Sequence, residues 1–539
     1  MRKTLGTLAL LASVATATLP AAVSAQDAAA TAPQYKIWRG NPALESHGVT
    51  IDQLIADFVA KNHLPGISMA IVQAPYVPRS AGYGSISMTN DELASTKTMW
   101  NIGPITQAFT AVAIFQLKEA HRLDLNDPVG KYVHSLPAAW AKVTILDLLR
   151  HSSGIPDFRT AATPAGEKPA QIIASLAGQP LQFAPGTQVH QSATNFILLG
   201  MVVEAAGKMS FHDYVTRYQI KPAGLNSTMF TSDLAAHGFL DRPKPVAGEN
   251  QHVRFKSEMT FINPAEPATG YRETGGAMIP VPTNAPQSLY AFGDMWSSAE
   301  DISKWDIALA GSTLVKDAAD RAIIYSPSKL PNGQVVPAMA GWEFTHHPGF
   351  MEVKGSAPGF SAYLSRFTSS NELVCVTLLT NKEGVDLTVL ARNIADAYDH
   401  GLGADVDPQT MVAQESKFSV DETVAHVKAD LARANVPLFA TYDHAANATG
   451  AGLTLRPTTV LVFGNPKVGT KLMLDSQASA MDLPLRVLVW EDERHRVWVG
   501  YPNMDRMAAT YGVKDAPLIT NLTKFLDGLV ARSVNVYAY

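Results

Sequence analysis

The sequence predicts a mixed α/β protein, of the α/β (α+β) class, built as two domains. Amphipathic runs with helical spacing alternate along the chain with short runs rich in β-branched and aromatic residues. The 539 residues are 46% hydrophobic and 17% charged, which provides enough apolar material for more than one core. The composition of the sequence changes near residues 403–413, and we predict the domain boundary there.

The first 25 residues have the pattern of a secretory signal peptide. Arg2 and Lys3 form a positive start, residues 5–19 are apolar, and residues 23–25 are small, as at a cleavage site. A membrane span needs about 20 unbroken apolar residues, and this stretch is shorter. We therefore predict a secreted, periplasmic protein with no stable membrane anchor after cleavage, and a flexible lead-in over residues 26–45.

The elements of the first domain, predicted over residues 46–403, follow from local signals. Thr50 is the expected N-cap of an amphipathic helix, and Ser298 is the expected N-cap of another. The longest apolar helix is predicted within residues 101–125. The sequence predicts two paired strands, at 360–367 and 372–381, and a closing helix at 387–398.

The second domain is predicted over residues 413–539. It begins with a capped amphipathic helix over 419–436 and ends with a helix over 518–532. Between them lie three short apolar runs that predict strands, at 458–464, 483–492 and 496–501. These signals predict a second unit that contains both helices and strands.

Composition excludes several classes of function. The net charge is −5 at pH 7, and no basic block is present, which argues against a nucleic-acid partner. Cys375 is the single cysteine, so neither a disulfide framework nor a cysteine-based zinc site can form. It lies in a continuous apolar run and is expected to be a buried small hydrophobe. We predict no metal and no cofactor.

Residues 48–400 resemble the serine β-lactamase and penicillin-binding-protein superfamily, in its class C, esterase and D-aminopeptidase branch. The segments that carry the resemblance occur in the family's order: LPGISMAIV, NIGPITQAFTAVAIFQL, LDLNDPVGKYV, LLRHSSGI, APGT, NFILLG, IKPAGLNSTMF, GDMWSSAEDISKW and GSAPGFSAYL. The resemblance implies a β-lactamase/transpeptidase-like domain, with an antiparallel sheet flanked by helices and a helical subdomain.

The family's first motif, Ser-x-x-Lys at the start of the long helix, is absent from the slot that aligns with it. Active relatives use the serine as nucleophile and the lysine one turn later as its base. Here the slot holds Pro104 and Gln107, which can fill neither role. The family also builds its oxyanion hole partly from the nucleophile's backbone N–H, and proline has none. Proline does suit the first turn of a helix.

The other two motifs are degenerate as well. The Tyr-x-Asn motif corresponds to Gln191 and Ala193. The Lys-Thr-Gly or His-x-Gly motif corresponds to Val353 and Gly355, of which the glycine alone survives. Lys354 is one position away from the family's cation, so on a strand its side chain should face the other way. Because all three motifs fail, no catalytic residue is retained and the sequence predicts a pseudoenzyme.

We expect the cleft that the three motifs line in the family, called the old cleft below, to bind a ligand. Thr106 and Ser192 are the hydroxyls that could replace the nucleophile, but Thr106 is expected to pack and Ser192 occupies a position that is not nucleophilic in relatives. We predict a ligand pocket among polar or backbone-exposing residues of the motif slots, namely Thr106, Gln107, Gln191, Ser192, Asn195, Gly355 and Ser356.

The second domain resembles domain-of-unknown-function family 302, through SVDETVAHVKADL, YDHAANATGAGLTLRPTTVLVFGNPKVGT and MDLPLRVLVWEDERHRVWVGYPN. This resemblance implies a small α+β fold and no particular activity. Polar residues interrupt its apolar runs and are candidates for a second site: His444, Asn465, Lys467, Asp482 and Glu491. Turn chemistry explains several of them equally well.

Three functions remain open from the sequence. The favoured hypothesis is a non-catalytic binding protein for cell-wall-peptide-like or other small ligands, which for the ligand class rests on fold analogy alone. The first alternative is an enzyme with weak or re-purposed esterase, D-peptidase or β-lactamase activity. The second alternative is a structural assembly module that forms a homo-oligomer through the C-terminal domain.

Overall fold

The computed structural model describes residues 40–41, 43–89, 92–134, 136–160, 168–236, 266–283, 289–345, 349–368 and 373–535. The described residues belong to one compact unit. The signal peptide at 1–25 and most of the lead-in at 26–45 lie outside these ranges and stay predictions. Among the described helices, none is both long and apolar enough to cross a membrane.

The predicted fold class is confirmed, since both parts of the chain combine helices with antiparallel sheets. The strands in chain order are β1 Glu45–Ser46, β2 Val49–Thr50, β3 Gly66–Gln73, β4 Tyr76–Ser87, β5 Glu92–Leu93, β6 Trp100–Asn101, β7 Met229–Phe230, β8 Gly270–Thr274, β9 Ala277–Val281, β10 Met295–Ser297, β11 Ser328–Lys329, β12 Val335–Val336, β13 Ala338–Met339, β14 Trp342–Phe344, β15 Phe350–Ala357, β16 Phe360–Phe367, β17 Val374–Thr380, β18 Met411–Glu415, β19 Leu438–Asp443, β20 Thr458–Phe463, β21 Leu485–Glu491 and β22 Val497–Pro502.

The α-helices of the described residues are α1 Ile51–Asn62, α2 Ile105–Glu119, α3 Ile145–Leu149, α4 Pro169–Leu176, α5 Ala193–Gly207, α6 Phe211–Val215, α7 Lys221–Ala223, α8 Thr231–Ala236, α9 Tyr290–Gly293, α10 Ala299–Ala310, α11 Ala318–Ile324, α12 Thr388–Tyr398, α13 Val420–Arg433, α14 His444–Gly450, α15 Pro466–Asp475, α16 Met504–Tyr511 and α17 Ala516–Val534. Thr50 and Ser298 cap α1 and α10 as predicted, each accepting a backbone N–H three residues later.

The first domain is built on an eight-stranded antiparallel sheet with the order β13-β14-β15-β16-β17-β3-β4-β5. Helices α1 and α12 cover one face. The other face packs against the large helical core that contains α2, α5 and α10. Because both faces of β3, β16 and β17 are covered, every residue of these strands is buried. This explains why they appear in the sequence as continuous apolar runs instead of alternating ones.

The side chains of strand β17 alternate between the cores on the two faces of the sheet. Val376 and Leu378 point to the α1–α12 side, whereas Cys375 and Leu379 point to the helical core. Cys375 is fully buried, as predicted, and burial raises the pKa of its thiol well above the ordinary value. Strands β16 and β17 pair as expected from the sequence, with Tyr363 opposite Leu378.

The second domain is a five-stranded antiparallel sheet with the order β18-β22-β21-β20-β19. Helices α13 and α17 pack on one face of the sheet, where Leu461, Phe463 and Val487 join Val427 and Leu526 in the core. Strand β18 begins at Met411, ahead of the predicted domain start at 413. At the other end of the sheet, β19 is an edge strand.

A buried ionic cluster joins the two domains. Lys417, which follows β18, lies 2.5 Å from Glu352 of β15, and Lys354 lies 3.1 Å from the same carboxylate. Arg392 of α12 pairs with Glu415 of β18. Burial opposes ionisation of Glu352, but the two lysines outweigh it and hold the pKa of this carboxyl well below its usual range. Both domains therefore contribute charged side chains to this buried cluster.

Candidate functional site

The first motif slot lies at the start of α2. Pro104 is the residue before the helix, with φ −59° and ψ −16°, and its carbonyl accepts the N–H of Gln107 at 3.0 Å. A proline fits here because its missing N–H would have no partner in the helix. The same property leaves this position without a backbone donor for an oxyanion.

The third motif slot lies directly against the first. Gly355 of β15 has φ +151°, and a Cβ atom built on it would be 2.7 Å from Cγ of Pro104. A side chain at position 355 would therefore collide with the proline ring. The fold therefore brings the first and third motif slots together, with the pyrrolidine ring of Pro104 against Gly355.

The first turn of α2 carries two buried polar atoms. Oγ1 of Thr106 and Oε1 of Gln107 have no hydrogen-bond partner among the described residues. Gln107 is 2% exposed, and its backbone is covered by the turn at Gly341 between β13 and β14. A buried oxygen without a donor carries a desolvation cost of about 1–3 kcal/mol. Both atoms could accept or share a hydrogen bond with a ligand that reaches this turn.

The second motif slot lies at the start of α5, where the polar groups are already engaged. Oγ of Ser192 donates to the carbonyl of Pro156 at 3.3 Å. Oδ1 of Asn195 accepts from the hydroxyl of Ser153 at 2.7 Å. Gln191 is half-buried and Ala193 is buried. Ser192 therefore acts in local structure, and no base lies at its hydroxyl among the contacts that the described residues show.

His151 stabilises this loop as a neutral base. Its Nδ1 accepts the backbone N–H of Ser192 at 3.3 Å and lies 3.1 Å from Nδ2 of Asn195. Burial lowers the pKa of His151 to about 3, and the nearby Arg159 adds to the effect. The accepting Nδ1 assigns the proton of the neutral ring to Nε2.

This burial predicts a pH dependence of stability. The pKa of His151 is lower in the folded than in the unfolded chain. Its contribution to the free energy of unfolding is therefore fully present above about pH 6.5. It is lost as the pH falls towards 3, because the unfolded chain then binds the proton more tightly. We expect His151→Asn, which suits the left-handed φ of +57°, to flatten the rise in unfolding free energy between these pH values. Urea unfolding at several pH values measures it, and an unchanged slope would contradict the assignment.

Two residues of the third slot face away from Pro104. Lys354 donates to Oγ1 of Thr388 at 3.0 Å, on the α12 side of the sheet. Ser356 lies on the same side, where its hydroxyl accepts the N–H of Gly384 at 2.9 Å. Lys354 therefore has the orientation expected from strand alternation. Ser356 is separated from the predicted pocket by the strand itself, because residues 354 and 356 share one face.

The candidate residues of the second domain lie in two places. Asn465 caps α15 through the N–H of Lys467, and Asp482 pairs with Arg486 at 3.0 Å. Glu491 lies at the end of β21 that is distant from Asp482, and its carboxylate is hydrogen-bonded to the imidazole of His495. His444 follows β19, whose Asp443 pairs with Thr459, so it lies at the Glu491 end of the sheet. The five residues form no single site, and the capping role of Asn465 follows from turn chemistry.

Sequence reasoning missed the ionic cluster between the domains and an apolar cavity in the second domain. The one signal for the cluster was the charged pair Glu352 and Lys354 inside an otherwise buried strand. Within the described ranges, no group of three or more metal-binding side chains comes together.

Comparison with known proteins identifies the first domain. The sequence profile of the Beta-lactamase family matches residues 51–399. The chain belongs to the β-lactamase family. The profile of the domain-of-unknown-function family DUF302 matches residues 412–529 of this β-lactamase-family chain.

Relatives and solved structures agree with this membership. Protein flp of Staphylococcus aureus strain MW2 is 26% identical over 345 residues, which cover 62% of this chain and 64% of that protein. Penicillin-binding protein 4* of Bacillus subtilis is 25% identical over 353 residues, which cover 64% of this chain and 73% of that protein. The octameric penicillin-binding protein homologue of Pyrococcus abyssi is similar in fold, with a TM-score of 0.53, 19% identity and coverage of 84% of this chain and 89% of that one. The chain thus spans less than two thirds of the flp protein's length.

Proposed function

We propose that this β-lactamase-family protein is secreted to the periplasm and binds small ligands in the old cleft without reacting with them. The observation that carries the proposal is Pro104, which replaces the nucleophile and removes a backbone donor in one residue. Its ring also occupies the space beside Gly355. Loss of a nucleophile alone reduces acyl transfer by on the order of 10⁶-fold.

Two polar atoms close to Pro104 that have no hydrogen-bond partner support binding. Oγ1 of Thr106 and Oε1 of Gln107 are buried and unpartnered among the described residues, and both lie within one helical turn of Pro104. Acceptors of this kind favour a ligand that brings N–H groups. Peptides of the cell wall have such groups, and penicillin-binding proteins among the relatives give the fold analogy for this ligand class.

A binding experiment tests the role of Gln107. We expect a peptide ending in D-alanyl-D-alanine to bind without being cleaved, and Gln107→Leu to weaken its binding by about tenfold, as loss of one buried hydrogen bond does. The same change should raise the unfolding free energy of the free protein, because an unpartnered oxygen disappears. Calorimetric titration and chemical unfolding measure the two effects. Gln53→Leu, on the exposed face of α1, is the matched control.

Covalent labelling separates this proposal from a weak enzyme. We expect no mass increase after incubation with a chromogenic β-lactam or a fluorophosphonate, because position 104 has no hydroxyl. Stoichiometric labelling of the purified protein would contradict the proposal, and peptide mapping would then identify Thr106, Ser192 or another residue as the nucleophile.

Assembly is a second candidate function, favoured by the edge strand of the second domain. Phe439 and Tyr442 of β19 are each 51% exposed, and the outer edge of β19 has no neighbouring strand in the described sheet. If β19 pairs with β19 of a second copy, Tyr442→Lys should convert a dimer into a monomer in light-scattering measurements. Tyr76→Lys, at an exposed position of the first domain, is the control. A monomeric wild type at all concentrations would exclude this role.

A further inference from the structure

The second domain contains an apolar cavity of about 640 Å³, and of the five residues predicted for a second site only Asn465 lines it. It is lined by residues of α15 and α17, by the segment before β21, and by Phe439 of β19. The cavity is lined by large apolar side chains, including Phe439, Leu472, Met473, Leu483, Leu522 and Phe525. Its volume falls within the range of about 300–1,000 Å³ that is typical of small-molecule sites.

The chemistry of the lining restricts what can occupy this cavity. No charged side chain is among its described lining residues, and the polar ones are Asn465, Thr470 and Asn521. The Oδ1 atom of Asn465 is engaged in capping α15. An ionised group would lose its hydration inside without gaining a partner. The buried part of the ligand is therefore uncharged and apolar.

The shape of the cavity argues for a small ligand over a protein surface. The lining surrounds a concave space between two helices and the ends of three strands, so a flat surface would leave most of the volume filled with water. A cavity of this size also exceeds what one aromatic ring would fill. A flexible hydrocarbon chain can fold into it and displace water from nearly all of its apolar wall.

We propose that this cavity binds the hydrocarbon chain of a single-chain lipid, with the lipid's polar head left in solvent at the mouth. Each methylene buried in such a site is expected to raise the affinity about fourfold. Affinity therefore rises with chain length until the cavity is full. The uncharged lining makes binding independent of whether the head is a carboxylate or an alcohol. This site is separate from the old cleft and does not depend on the function proposed for it.

Two glycines provide a matched pair of variants. Gly469 lies in α15 on the wall, and a Cβ built there would meet only Cδ1 of Leu483, at 3.7 Å. Gly469→Leu therefore fills the cavity without a backbone clash, and leucine is a better helix former than glycine. Gly450 ends α14 with no atom within 4 Å of its Cβ position and lies outside the lining, so Gly450→Leu is the control.

A second matched pair of variants adds a negative charge instead of side-chain volume. Ala480 is exposed and lines the cavity, whereas Ala478 is exposed and does not. Both lie in the short 3₁₀ segment Gln477–Asp482. Ala480→Glu places a carboxylate at the cavity, and Ala478→Glu places the same charge nearby in solvent. Because both positions are exposed, neither change is expected to disturb folding.

The test measures displacement of a dansyl-labelled fatty acid from the full chain by palmitate and by hexadecanol. We expect saturable fluorescence at one probe per chain, equal competition by the acid and the alcohol, and weaker competition by shorter chains. Gly469→Leu and Ala480→Glu should each weaken probe binding by about tenfold or more, and Gly450→Leu and Ala478→Glu should leave it unchanged.

Three results would overturn the proposal. The first is the absence of saturable probe binding in the wild type. The second is equal affinity in Gly469→Leu, Ala480→Glu and their controls when circular dichroism shows all of them folded. The third is a wild-type oligomer that Gly469→Leu dissociates while palmitate has no effect, which would assign the cavity to contact between two copies of the chain.

Discussion

Replacing Glu352 with glutamine is expected to lower the unfolding free energy by about 3–5 kcal/mol, the range found when one partner of a buried ion pair is removed. The side chain of Glu352 is 2% exposed and lies within 3.1 Å of Lys354 and 2.5 Å of Lys417. Its loss leaves the ammonium groups of Lys354 and Lys417 close together without the carboxylate that pairs with both of them. Chemical unfolding, followed by tryptophan fluorescence, measures the change.

A surface ion pair between the same two domains is the control for this experiment. Lys61 of α1 lies 3.8 Å from Asp505 of α16, and their side chains are 49% and 64% exposed. Such pairs contribute about 0–1 kcal/mol, so Lys61→Met should have little effect. If Glu352→Gln is no more damaging than Lys61→Met, the cluster does not hold the domains together.

The same cluster is expected to make the free energy of unfolding decrease in acid. The pKa of Glu352 is lower in the folded chain than in the unfolded one. Its contribution to the free energy of unfolding is therefore fully present when the pH is above the ordinary glutamate pKa of about 4.3. It is lost as the pH falls further, when the unfolded chain takes up the proton first. The pH profile of Glu352→Gln should therefore be flatter than that of the wild type in this acidic range.

Restoring acyl transfer is expected to need at least two substitutions in α2. Pro104→Ser returns a hydroxyl and a backbone N–H, but Gln107 cannot accept the proton, so the single variant should stay near background. Adding Gln107→Lys places a base one turn away on the same helix. Because residues of a catalytic unit act non-additively, the first measurable acylation should appear in the double variant or after repair of Gln191, Ala193 and Val353.

Burst amplitude with p-nitrophenyl acetate or nitrocefin compares wild type, single and double variants under the same conditions. If the wild type already turns over substrate and Pro104→Ser leaves the rate unchanged, the activity lies elsewhere in the chain. The interpretation of the protein as a pseudoenzyme would then be wrong.

The sequence was sufficient for features that depend on neighbours along the chain. Thr50 and Ser298 cap helices because their side chains reach a backbone N–H three residues later. Pro104 begins α2 for an equally local reason. The antiparallel pairing of β16 with β17 also follows from two adjacent apolar runs joined by a short connection.

Features that depend on distant residues could not be predicted in this way. Glu352 and Lys417 are 65 positions apart, and no periodicity shows that they meet. The apolar cavity of the second domain depends on how closely α15 and α17 approach the sheet, which side-chain volumes determine together. Ser356 was placed in the pocket by its position in a motif, whereas strand alternation turns it to the other face.

Gly355, the glycine that matches the family's third motif, is required in this fold for a reason that involves no reaction. Its φ of +151° is rare for residues with a side chain, and Cγ of Pro104 would lie 2.7 Å from any Cβ. Mutation to another residue would be removed by selection for folding alone. A glycine at this position therefore meets a steric requirement of the fold, and its match to a catalytic motif is not by itself evidence of hydrolysis.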